Sequence, residues 1–203
     1  MTWTAIIPVR LGAPRKTRLS GSVSAFERER LADLLFAHVA RTVRTHQRVA
    51  ELIILSPLRP PGSPDGWKRD DGRGLNEELT ALRDELSPAN VLVVHADLPL
   101  IGHSDLTELM DAAESAGIAL APDHAAEGTN AVAIRQGQPF SFAFGPGSLA
   151  AHRAAARVPA GTEPRLVVSR GLAHDIDLPS DLTTACAAAR SSDGGAWRWN
   201  SAK

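Results

Sequence analysis

Short apolar runs alternate along this chain with longer segments of helical period, and that alternation restricts the fold more than any other feature. The first run, Thr4 to Val9, starts almost at residue 1 and carries two isoleucines before a proline-containing end. Such a run predicts a buried strand. Leu52–Ser56, Val91–Val94, Ile118–Ala121, Ala131–Ile134 and Leu166–Val168 read the same way. Between them, Ser24 and Glu27 have the spacing of a capping box. The segment that follows places Leu31, Leu34, Leu35 and Val39 on one helical face. Further helices are predicted over Asn76–Leu86, over Asp105–Ser115 with Ser104 as cap, over Gly147–Arg157, and over Ser180–Arg190 capped by Ser180. Strands alternating with helices predict one α/β domain with a three-layer, mostly parallel sheet over residues 1–190. The tail 191–203, with Gly194, Gly195, Trp197 and Trp199, is expected to lie outside it. The stretch 57–72 holds Pro57, Pro60, Pro61 and Pro64 and is read as one long loop.

Composition narrows the function classes. The chain has 203 residues, 43% of them hydrophobic, enough for a proper core. Lysine plus arginine total 22 against 23 acidic residues, a net charge of −1. That balance argues against a nucleic-acid partner held by bulk positive charge. The single cysteine, Cys186, excludes an internal disulfide and a multi-cysteine metal site. No apolar run is long enough to span a membrane, and no basic segment followed by a long apolar run opens the chain. The expectation is a cytoplasmic protein.

In a parallel α/β sheet, ligands bind beyond the carboxyl ends of the strands. Two polar clusters fall there. Arg10, Gly12, Pro14, Arg15, Lys16 and Arg18 follow the first strand. A glycine-containing turn loaded with cations can hold a polyphosphate, although no Walker A pattern is present. The competing reading is a solvated basic loop. Asp97 follows the Val91 strand, where a carboxylate can hold a divalent cation or merely cap a turn. In Asp175-Ile176-Asp177, extended alternation puts both carboxylates on one face, a metal-binding arrangement or an exposed acidic turn. Two loops, Gly128-Thr129-Asn130 and Phe144-Gly145-Pro146-Gly147-Ser148, could receive an anion on backbone N–H and hydroxyl donors, or be plain turns. Gly74-Leu75-Asn76 at the head of a helix is equally open. The seven histidines show no H-x-x-x-H spacing, and G-x-S-x-G is absent.

Taken in order, these segments resemble one family. They are I-P-V-R (7–10) with R-K-T-R-L-S (15–20), E-R-x-x-L-A (27–32), G-L-N-E-E-L (74–79), A-D-L-P-L (96–100), A-P-D (121–123) with G-T-N-A (128–131), F-G-P-G-S-L-x-x-H (144–152) and D-I-D-L-P-x-D-L (175–182). The chain is similar to the 2-phospho-L-lactate / phosphoenolpyruvate guanylyltransferases of deazaflavin coenzyme F-420 biosynthesis, over roughly residues 5–182. The resemblance implies a single Rossmann-like nucleotidyltransferase domain. It implies transfer of GMP from GTP to a phosphorylated three-carbon acid, with release of pyrophosphate. The family's metal-holding aspartates match Asp97, Asp175 and Asp177, and magnesium is the implied ion. Its acid-substrate contacts match Thr129, Gly145 and Ser148, and its basic-loop lysine matches Lys16. Arg10, Lys16 and Arg18 are then expected on the triphosphate, and Gly74, Leu75 and Asn76 beside the guanine. Arg10 is a departure, because many relatives carry lysine there.

The implied partners are GTP and a small phosphorylated acid, with handover of product to the next transferase; a homo-oligomer is left open. The nucleophile would be a phosphate oxygen, already anionic at neutral pH, so no general base is required. The alternatives are a related nucleotidyltransferase with a molybdopterin or sugar-phosphate acceptor, a non-catalytic nucleotide-binding regulator, and a purely structural domain.

Overall fold

The computed structural model describes residues 1–61, 66–160, 163–177 and 179–183. Its centre is β1 (Trp3–Pro8), flanked by β2 (Val49–Ser56) and β4 (Val91–Val94), both parallel to it. The seven-stranded sheet runs β3-β2-β1-β4-β6-β5-β7, with β3 Gly66–Arg69, β5 Ile118–Pro122, β6 Thr129–Ile134 and β7 Arg165–Leu166. Only β6 is reversed: it pairs antiparallel with β4 and β5, while β7 returns parallel to β5. The sheet is mostly parallel, as the alternation predicts.

Side-chain alternation in the strands builds the three layers. Ala5, Ile7, Leu52, Ile54, Leu92 and Val94 point to one face, under α1 (Ala25–Arg44) and α3 (His103–Ala116). Ile6, Ile53, Leu55, Val91 and Val93 point to the other, under α2 (Leu75–Glu85) and α4 (Ser148–Ala160). Burial on both faces is why these strands read as continuous apolar runs.

The capping box forms: Ser24 Oγ accepts from the Glu27 amide, and the Glu27 carboxylate accepts from the Ser24 amide at 3.1 Å. The buried stripe is Leu31, Leu35, Val39 and Val43, of which Val39 and Val43 pack on the sheet. Leu34, expected on that face, is instead 37% exposed, because it sits a quarter-turn off an i, i+4 row.

Three other expectations are corrected. The loop 57–72 contains β3, which pairs with β2 from Ile53↔Gly66 to Ser56↔Arg69 at the sheet edge. Helix α3 is capped at Gly102, whose amide donates to the Asp105 carboxylate at 2.8 Å, so Ser104 lies inside the helix. The last expected strand stops at Leu166, and Val168 is exposed. A short α5 (Arg170–Ala173) follows. Residues 179–183 are helical, and the rest of the expected helix 180–190, with Cys186 and the tail, lies outside the described residues.

Candidate active site

A small third core pins the site together. Leu19, Leu31, Leu35 and Ile176 are fully buried against one another, with Val23 and Leu182 packed on them. Leu19 ends the basic loop, through a 3-10 turn at Thr17–Leu19, and Ile176 separates the two late aspartates. Their contact draws residues far apart in sequence to the carboxyl ends of β1 and β4. With Ile176 buried, Asp175 and Asp177 both project from the opposite side of the segment. The Ile176 amide also donates to the Asp97 carbonyl at 3.3 Å, tying this segment to the turn after β4.

Asp97, Asp175 and Asp177 converge, with one carboxylate oxygen from each lying within 4.8 Å of the others. Lys16 reaches into this group, its Nζ 2.6 Å from Asp97 Oδ2 and 3.3 Å from Asp177 Oδ1. It adopts a left-handed backbone, φ 52°, at the start of the 3-10 turn. Arg18 holds the other Asp177 oxygen at 2.7 Å. Asn130, at the start of β6, donates from Nδ2 to Asp175 Oδ1 at 3.3 Å and to the Leu172 carbonyl at 3.0 Å.

The electrostatics follow from this packing. Burial works to lower the Lys16 ammonium, but Asp97 and Asp177 outweigh it and hold its pKa above the ordinary lysine value. Burial works to raise Asp97; the charge of Lys16, then that of His95, outweigh it and keep Asp97 below the usual carboxylate range. Asp175 is pushed up by burial and next by the charge of Asp97. Three carboxylates against two cations leave a surplus of negative charge. Asp97 Oδ1 is buried and has no hydrogen-bond partner among the described residues. An oxygen-only donor set, surplus negative charge and an orphaned carboxylate oxygen fit a hard divalent cation.

A cavity of about 780 Å³ opens beside this cluster. Among the expected residues, Arg10, Lys16, Arg18, Gly74, Leu75, Asp97 and Asp177 line it. Arg10 has no ion-pair partner among the described residues, whereas Arg15, also on the wall, is held by Glu29 and Asp33 at 2.8 and 2.6 Å. The remaining wall includes Pro8, Leu55, Pro57, Asp70 and Asp71.

Asp175, Thr129, Gly145, Ser148 and Asn76 do not line this cavity; Asp175 stands behind Asp97 and Asp177 in the acidic cluster. Thr129 and Ser148 are buried, and Gly145, at φ 138°, is exposed in the turn before α4. They connect to the acidic cluster through neighbours. Thr129 adjoins Asn130, the partner of Asp175, and the ring of Phe144 lies 4.9 Å from that of His95, tilted by 40°. The Asn76 side chain is engaged with the Phe144 backbone, accepting its amide at 2.7 Å and donating to its carbonyl at 3.1 Å.

Three residues escaped the sequence reading. Asn130 and His152 sit inside the segments G-T-N and F-G-P-G-S-L-x-x-H, but neither has a role there that spacing reveals. His152 is fully buried and bonds Thr129 Oγ1 at 3.0 Å. Glu78, on the inner face of α2, carries no sequence signal beyond a polar helix position.

Residues 3–187 match the family model described as "Guanylyl transferase CofC like". The phosphoenolpyruvate guanylyltransferase of Sphaerobacter thermophilus is 38% identical over 191 residues, 90% of this chain and 91% of that protein. The phosphoenolpyruvate guanylyltransferase of Chloroflexus aggregans is 34% identical over 196 residues, 91% and 96% of the two chains. Among solved structures, 2-C-methyl-D-erythritol 4-phosphate cytidylyltransferase from Thermus thermophilus aligns over 94% of this chain and 100% of that one, with a TM-score of 0.52 at 20% identity. That likeness concerns the fold, which is the one the strand order describes. The chain is a nucleotidyltransferase and belongs to the family of CofC-like guanylyl transferases.

Proposed function

We propose that this protein transfers GMP from GTP to a phosphorylated three-carbon acid, phosphoenolpyruvate or 2-phospho-L-lactate, releasing pyrophosphate, as a step of coenzyme F-420 biosynthesis. The observation that carries this reading is the convergence of Asp97, Asp175 and Asp177, two of them bonded to Lys16, beside a nucleotide-sized cavity that Lys16, Asp97 and Asp177 line. The names of the relatives favour phosphoenolpyruvate as acceptor.

The chemistry asks little of the protein beyond placement. A phosphate oxygen of the acid attacks the α-phosphorus of GTP, a new P–O–P bond forms, and the bond to pyrophosphate breaks. The nucleophile carries no proton to remove. What must be overcome is repulsion: two unit charges 4 Å apart cost about 4 kcal/mol at an effective dielectric near 20. Fixed cations that hold both reactants lower that cost without reorganising during reaction.

In this reading Arg10, Lys16 and Arg18 hold the triphosphate and the leaving pyrophosphate. Asp97, Asp175 and Asp177 hold magnesium, which when bound supplies charge neutralisation and Lewis acidity. Thr129, Gly145 and Ser148 orient the acid, and Gly74 and Leu75 border the base. Asn76 ties the base-side helix to the acid-side loop through Phe144, which makes it a brace between the two substrate halves.

The test is pyrophosphate release with GTP and magnesium across phosphoenolpyruvate, 2-phospho-L-lactate and a sugar phosphate. Release with either acid, and none with the sugar phosphate, is expected. Release with the sugar phosphate alone, or GTP binding with no turnover of any acceptor, would overturn the proposal.

A further inference from the structure

Residues 70–74, Asp-Asp-Gly-Arg-Gly, connect β3 to α2 and supply Asp70, Asp71, Gly72 and Gly74 to the cavity wall. Left alone, such a segment would sample many shapes: Gly72 and Gly74 stand at φ 83° and 116°, where glycine is free and other residues are strained. One buried side chain fixes it. Glu78, 2% exposed, accepts the amides of Asp71 and Arg73 on Oε1 at 3.0 and 3.2 Å. Its carboxylate also takes the Arg73 guanidinium side-on, Nε at 3.1 Å and a terminal nitrogen at 2.7 Å. The two other amides at the start of the loop are held locally, Asp70 to the Ser56 carbonyl and Gly72 to Asp70 Oδ1.

The fold alone does not ask for this arrangement. Glu78 shares its helix with the core residues Leu79 and Leu82, and a well-packed apolar side chain is often as stabilising as a buried ion pair. What the carboxylate adds is a single shape for a glycine-rich wall. The position of that wall gives the shape its use. In the strand order β3-β2-β1-β4, three inter-strand steps separate β3 from β4, which leads into the turn that carries Asp97. At ~4.8 Å per step that is about 14 Å, leaving room for a sugar and base beside a triphosphate held over Asp97.

We infer that Glu78, with Arg73, is a positioning residue for the nucleotide: it sets the base-side wall of the cavity without touching the ligand, and has no part in holding the acid. This rests on the proposal that the cavity takes GTP. It predicts a split between the two substrates that a general structural role would not produce.

The experiment measures both KM values and kcat for the full chain and for Glu78→Gln and Arg73→Ala. The first variant keeps the shape and removes the charge. The second alters a half-exposed side chain, so it can be read even if Glu78→Gln is poorly folded. KM for GTP should rise about tenfold in each, equivalent to ~1.4 kcal/mol, with KM for the acid unchanged within about twofold. Equal rises in both KM values, or a wild-type KM for GTP in Arg73→Ala, would overturn the inference while leaving the guanylyltransferase reading standing. A wild-type chain that neither binds nor turns over GTP would overturn both.

Discussion

Lys16 Nζ lies 2.6 Å from Asp97 Oδ2, joining a loop after β1 to a turn after β4 across 81 positions of sequence. The lysine side chain is only 9% exposed, and Asp177 takes its remaining side. One ammonium thus partly neutralises a group of three carboxylates. The same contact orients the basic loop over the cavity, so charge balance and loop position depend on one side chain.

Removing that ammonium should therefore show in stability as well as activity. Lys16→Ala leaves Asp97 and Asp177 facing each other with Arg18 alone, and uncompensated charge in a partly buried site costs about 1–3 kcal/mol. A lower melting temperature is expected, with more of the loss recovered by magnesium than in the wild type, since a divalent cation takes over the neutralisation. The KM for GTP should rise more than that for the acid. Thermal melts with and without magnesium, alongside steady-state kinetics, check both points; equal weakening of the two substrates would remove Lys16 from the triphosphate.

Asp97→Asn keeps the side-chain shape and removes one charge of the cluster. The fold should survive, because the Asp97 carbonyl still accepts from Ile176. Pyrophosphate release should fall by at least about 10²-fold, the scale of losing a preorganised electrostatic contact. Magnesium should also lose its effect on the melting temperature. An active Asp97→Asn enzyme would sink the metal role.

Much of this architecture is legible in the sequence because it depends on local chemistry. The Ser24–Glu27 box, the Val91–Val94 strand and the alternation of Asp175-Ile176-Asp177 each follow from spacing alone. β3 does not: Gly66-Trp67-Lys68-Arg69 has neither an apolar run nor clean alternation, and it exists because β2 offers a free edge. The inward turn of Glu78 escapes for a related reason. Helical periodicity assigns a glutamate to solvent, and only the folded loop 70–74 supplies the donors that make its burial favourable. His152 is hidden in the same way, since its two partners come from β6 and from the loop before α4.

Glu78 also predicts an acid-stability profile. Hydrogen bonding from Arg73 outweighs burial and holds its pKa at about 2, below the ordinary 4.5. A folded-state value below the unfolded one contributes stability that is fully present above about pH 4.5 and is lost as pH falls toward 2. The contribution is on the order of 3 kcal/mol. Urea unfolding between pH 6 and pH 3 should show the wild type losing stability that Glu78→Gln does not lose; parallel profiles would show that the carboxylate is not held in its charged form by the fold.

The tautomer of His152 bears on the acid side of the site. Its Nε2 accepts the Ala143 amide at 2.9 Å, so the ring hydrogen belongs on Nδ1, which faces Thr129 Oγ1. Burial, then the proximity of His95, lowers its pKa to about 4, so the ring is neutral at physiological pH and this tautomer persists. With Nδ1–H donating to it, the Thr129 hydroxyl can direct its own hydrogen to an anion. If Thr129 contacts the acid, His152→Gln should raise the KM of the acid by about fivefold to tenfold, ~1–1.4 kcal/mol for one misdirected hydrogen bond. Thr129→Ala should do the same, and the double variant should add little, because both changes remove one donor. The KM for GTP should stay put in all three. Additive effects in the double variant would show that His152 acts on the loop at Ala143 rather than through Thr129.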